Sequence, residues 1–218
     1  VDKNILIRIL KIGLPAGVQG SLFSFSNVII QSSINSFGAT VVAGNSAASN
    51  IEGFVYMAMN AFSQAIVAFV SQNIGAKKYE RINKIVITTL ISVSMVGLVF
   101  GNLVYLLAKP LLGLYSGNGA VIDAGTKRLA VICTTYALCG MMDCMVGALR
   151  GIGYSVMPMI VSLLGVCAFR MVWIFGFFQM EQFHMIDTVY LAYPISWLLT
   201  FIAHLITYII VRKKAFSK

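Results

Sequence analysis

Acidic side chains are what this chain has least of. Only 7 of its 218 residues are Asp or Glu, against 16 Lys and Arg, and charged residues make up 11% of the whole. A soluble domain carries about 25% charged residues, so a water-soluble globule is excluded at the first step. Whole stretches have no charge at all: Ile12 to Ile51, Gly53 to Ala76, Ile85 to Ala108 and Thr188 to Val211. Histidine occurs twice, and the four cysteines (Cys133, Cys139, Cys144 and Cys167) show no metal-ligand spacing and no loop position suited to a disulfide. They read as small core residues, and neither a bound metal nor a cofactor is expected. No His-x-x-x-His, cysteine cluster or nucleophile–base pair points to an enzyme. The period-2 alternation of outer-membrane strands is also missing.

What remains is apolar. Hydrophobic residues make up 59% of the chain, and the mean hydropathy is +0.87. A spanning helix needs about 20 mainly apolar residues, and six segments qualify: Ile12–Phe37, Val41–Ile74, Ile85–Ala108, Val121–Leu149, Val156–Phe178 and Thr188–Val211. The second reads either as one long tilted helix or as a helix with an interfacial turn. The expected class is an all-α polytopic membrane protein, one bundle over residues 1–218. Glycines at small-residue spacing (Gly13 with Gly17, Gly97 with Gly101, Gly147 with Gly151) would let helices approach closely. Pro15, Pro158 and Pro194 fall in the first turns of their spans, where a missing backbone donor costs little.

Alternate threading puts Lys3, Arg8, Lys11, Lys77, Lys78, Arg81, Lys84, Arg150, Arg212, Lys213, Lys214 and Lys218 on one side. The other side receives only Lys109, Lys127 and Arg128. The positive-inside rule then predicts a multi-pass protein of the plasma (inner) membrane with both termini of this segment cytoplasmic. Nucleic acid is not an expected partner, because the basic residues punctuate loops and tails. With Val1-Asp2-Lys3 at its start, the chain is expected to be part of a longer protein.

Three charges lie deep inside the apolar spans: Glu52, Asp143 and Arg170. A lone charge at the bilayer centre costs at least ~2.5–3.5 kcal/mol, so these residues predict a polar interior. Projection at 100° per residue supports that. Asn45, Ser49, Glu52, Tyr56, Asn60 and Gln64 share one face of the second span. Asn27, Gln31 and Asn35 recur at four-residue spacing in the first. Tyr136, Cys139, Gly140, Asp143, Gly147 and Arg150 share a side of the fourth, and Tyr193, Ser196, Trp197, Thr200, His204, Thr207 and Tyr208 a side of the sixth. Glu52 lies ~17 Å below the outer end of its span and Arg170 ~20 Å above the inner end of its own. Arg170 is therefore expected to pair with Glu52 or with Asp143. One carboxylate is then left over, and a carboxylate without a cationic partner suits proton or sodium coupling. Tyr56, Tyr136 and Trp197 offer aromatic faces to organic cations.

The order of motifs resembles a known family. Gly13-Leu14-Pro15-Ala16 opens the first span, and Gly38-Ala39-Thr40-Val41-Val42-Ala43-Gly44-Asn45 leads into Ala48-Ser49-Asn50 in the second. Ser71-Gln72-Asn73-Ile74-Gly75-Ala76 precedes the basic loop, and Gly147-Ala148-Leu149-Arg150-Gly151-Ile152-Gly153 closes the fourth span. Together they resemble the second half of the multidrug and toxic compound extrusion (MATE) transporters. The resemblance implies a twelve-helix antiporter of two six-helix lobes around a central cleft. Such a protein exports drugs or other organic, often cationic, compounds in exchange for sodium or protons by alternating access. This chain would be the C-terminal lobe, with the N-terminal lobe as its partner. The glutamate that sodium-coupled members of one branch carry in this lobe's first helix corresponds to Phe23, and the family's acidic position in the fourth helix lies near Cys139. Glu52 and Asp143 are thus candidates on the cost argument rather than by correspondence. A lipid-linked oligosaccharide flippase and a non-transport membrane scaffold are the alternatives. Several basic residues in the cleft would favour the flippase, and helices without polar faces the scaffold.

Overall fold

The computed structural model describes residues 2–216, all-helical apart from turns and short connections. Val1 and Lys218 lie outside the described residues, as do the side chains of Arg8 and Lys214. The helices are α1 (Lys3–Asn35), α2 (Ala39–Gly75), α3 (Glu80–Leu106), α4 (Ala108–Gly113), α5 (Gly119–Ile132), α6 (Tyr136–Ile152), α7 (Val156–Ser162), α8 (Phe169–Phe175) and α9 (Ile186–Phe216). Six spans follow from them, α5 with α6 making one and α7 with α8 another. The outer surface is apolar: Val99 and Met57 are each 70% exposed and Leu106 77%. That is the inverse of a water-soluble surface and suits hydrocarbon.

The expected spans form, with informative differences. The helices outrun the apolar stretches, and at the start of α1 a capping side chain rather than hydropathy sets the boundary. Asp2 caps α1 by accepting from the Asn4 and Ile5 backbone N–H groups, which places Pro15 well inside the helix rather than in its first turns. Likewise Pro194 falls within α9. The second span is one helix of 37 residues, ~55 Å long. The fourth is interrupted by a 3₁₀ turn at Cys133–Thr135. There the Thr134 and Thr135 hydroxyls each donate to a carbonyl one turn back, at 2.6 Å, which competes with continuous helical pairing. A π-helical turn, Leu163–Ala168, separates α7 from α8.

α6 is the hub, packed on α2, α3 and α9. Close approach requires its glycines. A Cβ at Gly147 would lie 2.6 Å from Ile66, and one at Gly140 would lie 2.7 Å from Val93. From the other side, a Cβ at Gly97 would lie 2.8 Å from the Ala137 backbone. Gly153, at φ +105°, ends α6. Its N–H donates to the Arg150 carbonyl and that of Tyr154 to Leu149, the Schellman pattern. Gly13 and Gly17 differ: nothing lies within 4 Å of a Cβ at either. α1 is peripheral; the most apolar stretch of α1 is 6% buried, against 61% for Gly119–Ile152.

Candidate functional site

α1, α2, the α5–α6 span, the α7–α8 span and α9 enclose a cleft of about 480 Å³. Of the residues expected on its wall, Asn27 and Gln31 come from α1, and Asn45, Ser49, Glu52 and Tyr56 from α2. Tyr136 and Asp143 come from α6, Arg170 from α8 and Trp197 from α9. Asn60 and Gln64 continue the α2 stripe but lie beyond the wall, hydrogen-bonded to each other at 3.3 Å. Thr200 and His204 are fully buried in helix packing instead. The Thr200 hydroxyl donates to the Ser196 carbonyl, and His204 Nε2 shares a 2.9 Å hydrogen bond with Ser162 Oγ. Their face of α9 meets neighbouring helices where Tyr193 and Trp197 meet the cleft.

The expected pairing of Arg170 with a carboxylate is not what forms. Glu52 is held by Arg128, which loop counting had assigned to the outer surface. Arg128 lies in the third turn of α5 and is 4% exposed. Its Nε and Nη2 both donate to the Glu52 carboxylate, and its Nη1 donates to Asn45 Oδ1 at 2.8 Å. Asn45 in turn donates to Gln31 at 2.8 Å, and Gln31 to Asn35 at 3.1 Å. One network thus ties α5, α2 and α1 together. A two-pronged guanidinium–carboxylate contact offsets desolvation far better than a single contact does. The sequence carried the signal: helical steps back from Asp143 through Cys139, Tyr136 and Ile132 arrive at Arg128.

Among the described residues Arg170 finds only neutral partners. Its Nε donates to Ser196 Oγ at 3.0 Å and its Nη1 to Asn27 Oδ1 at 3.2 Å. The Tyr193 ring stacks beneath it, 4.2 Å from the guanidinium carbon to the centroid. The same ring lies 5.4 Å from Arg128. The one Tyr193 ring thus lies against both cations. Trp197 packs on Tyr136 and Tyr193, with centroids 5.4 and 5.8 Å away.

Asp143 is partly exposed to the cleft, and its carboxylate has no hydrogen bond or ion pair among the described residues. Ser63 donates only to its backbone carbonyl. Arg150, placed at the inner turn by loop counting, lies in α6 two turns beyond Asp143 and donates to Gln19 of α1 at 2.8 Å. With Arg128 and Glu52 neutralising each other, the wall presents, among the described residues, one cation without an ion pair, Arg170, and one carboxylate without an ion pair, Asp143, whose charge is partly offset by Arg150 two turns along α6. Such a surface can bind charged groups of either sign.

Six apolar spans around a charged cleft define a polytopic membrane protein with a solvent-accessible interior. The family model described as MatE matches residues 15–175, and the chain belongs to that family. The probable multidrug resistance protein YoeA of Bacillus subtilis is 22% identical over 166 residues, 76% of this chain and 36% of its own length. The probable multidrug resistance protein NorM of Chromobacterium violaceum is 30% identical over 168 residues, 74% of this chain and 35% of its own length. The crystal structure of the Vibrio cholerae MATE transporter VcmN in the bent form superposes with a TM-score of 0.86 at 19% identity, over 99% of this chain and 48% of that one. A MATE protein in complex with MaL6 gives 0.90 at 14%, over 100% and 49%. At these identities the structural likeness is one of fold. The chain spans about half the length of the solved proteins and matches about a third of the curated relatives.

Proposed function

We propose that this chain is the C-terminal lobe of a secondary antiporter that exports drugs or other organic compounds in exchange for Na⁺ or H⁺. Its N-terminal lobe would close the cleft from the side of α1. The apolar face of α1 from Ile9 to Leu22, with open surface at Gly13 and Gly17, supports such a docking. The assembled protein would sit in the plasma (inner) membrane with both ends of this segment cytoplasmic.

The observation that carries the reading is Asp143. A carboxylate in a membrane interior that makes no ion pair or hydrogen bond of its own is open to a proton or a cation, and this one is reachable from the cleft. Coupling follows if the incoming ion and the cationic part of the substrate compete for it, so that binding of one releases the other. Tyr136 and Trp197 would supply aromatic faces on the same wall. Glu52, whose carboxylate is committed to Arg128, would hold the helices rather than the ion. The flippase reading loses ground for the same reason: the second basic residue in the cleft is Arg128, and Glu52 neutralises it.

The test reconstitutes the complete transporter in liposomes and measures rhodamine 123 efflux under an imposed sodium or pH gradient. Asp143→Asn is expected to abolish gradient-driven efflux while membrane insertion persists. Wild-type efflux from Asp143→Asn would sink the proposal.

A further inference from the structure

We infer that Arg170 is an anion-binding subsite of the cleft, so that the transported compound carries a carboxylate or similar oxyanion as well as a cationic centre. The inference rests on the antiporter reading for the cleft's being a substrate path, and it adds a chemical class to that path.

The argument is the way Arg170 is held. The residue is 4% exposed, a position where an uncompensated charge is costly. Arg128, against the same Tyr193 ring, solves the same problem with a carboxylate, Glu52. Arg170 has no such partner among the described residues. Ser196, Asn27 and Tyr193 fix the plane of its guanidinium but leave its charge intact. Ser196 Oγ itself donates to the Tyr193 carbonyl at 2.8 Å, so its lone pairs are turned to Arg170 and the arrangement is locked. Two of the three guanidinium nitrogens are thereby used for orientation. The third, Nη2, has no partner among the described residues, and the side chain lines the cleft. A planar fork with a free prong and a full charge is the arrangement that binds carboxylates and phosphates. Asp143, on the same wall, supplies the opposite charge for the cationic end of the same molecule.

The complete transporter in lipid nanodiscs tests this at equilibrium, without any gradient. The probes are rhodamine 110, which bears a free carboxylate, and rhodamine 123, its methyl ester, and fluorescence anisotropy gives both affinities. The expected result is a wild-type preference for the free acid that falls about tenfold or more in Arg170→Gln, the size of a lost charge-assisted hydrogen bond. Asn27→Asp guards against a folding failure. It keeps Arg170 and its packing but supplies an internal carboxylate where Nη1 already donates, and the same loss of preference is expected. Wild-type preference for the ester, or an acid preference unchanged in both variants, would overturn the inference. Acid preference in a protein without gradient-driven efflux would uphold the subsite and refute antiport.

Discussion

Arg128 and Arg170 face the same tyrosine ring and are equally buried, at 4% exposure each, yet they are satisfied in opposite ways. Arg128 meets a carboxylate with two nitrogens and an amide with the third. Arg170 meets a hydroxyl, an amide and the face of a ring. The first arrangement cancels charge and links three helices. The second orients charge without cancelling it. A buried polar group kept for stability is expected to be paired, since an unpaired one costs more than it returns. One left oriented and unpaired beside a cavity is available to a ligand. Both arrangements meet at one aromatic ring, that of Tyr193.

The sharpest way to break the contrast is to remove the acid from the first corner. Glu52→Gln leaves Arg128 buried with only amide acceptors, and a loss of about 3–5 kcal/mol is expected. It should be read as poor accumulation and early thermal unfolding of the purified transporter. An Arg128→Met, Glu52→Leu double variant should recover much of that loss, because no charge is then left unpaired. A Glu52→Gln protein as stable as wild type would refute the structural role. Asn45→Ala is milder. It removes one acceptor from Arg128 and the donor to Gln31, so about 1–2 kcal/mol is expected on the same thermal scale. Ser196→Ala should cost less, about 1 kcal/mol or under, since Arg170 keeps Asn27 and the Tyr193 ring.

Much of this chain's fold was legible in the sequence because hydrocarbon thickness fixes span length and charge is too costly to scatter. The six spans and the polar stripe of α2 down to Tyr56 follow from those two facts. The break at Cys133–Thr135 does not, because it depends on α3. A Cβ at Gly101 would overlap the Cys133 carbonyl, a contact no periodicity reveals. Helix projection named the polar face of α9 but not what covers it. Tyr193 and Trp197 therefore reach the cleft while His204 ends up against Ser162. Arg128 escaped for a different reason. Alternate threading groups it with Lys109 and Lys127 at the outer side, so it is not among the charges matched by depth inside the spans. The acid–base partners were misassigned because helix-to-helix geometry, not depth, decided between two arginines.

The central claim is that the two arginines do different work. Thermal unfolding of Arg128→Gln and Arg170→Gln, measured side by side in the complete transporter, tests it most directly. Arg128→Gln should unfold at markedly lower temperature, having stranded Glu52, whereas Arg170→Gln should stay close to wild type. Equal destabilisation by both, or the reverse order, would contradict the account.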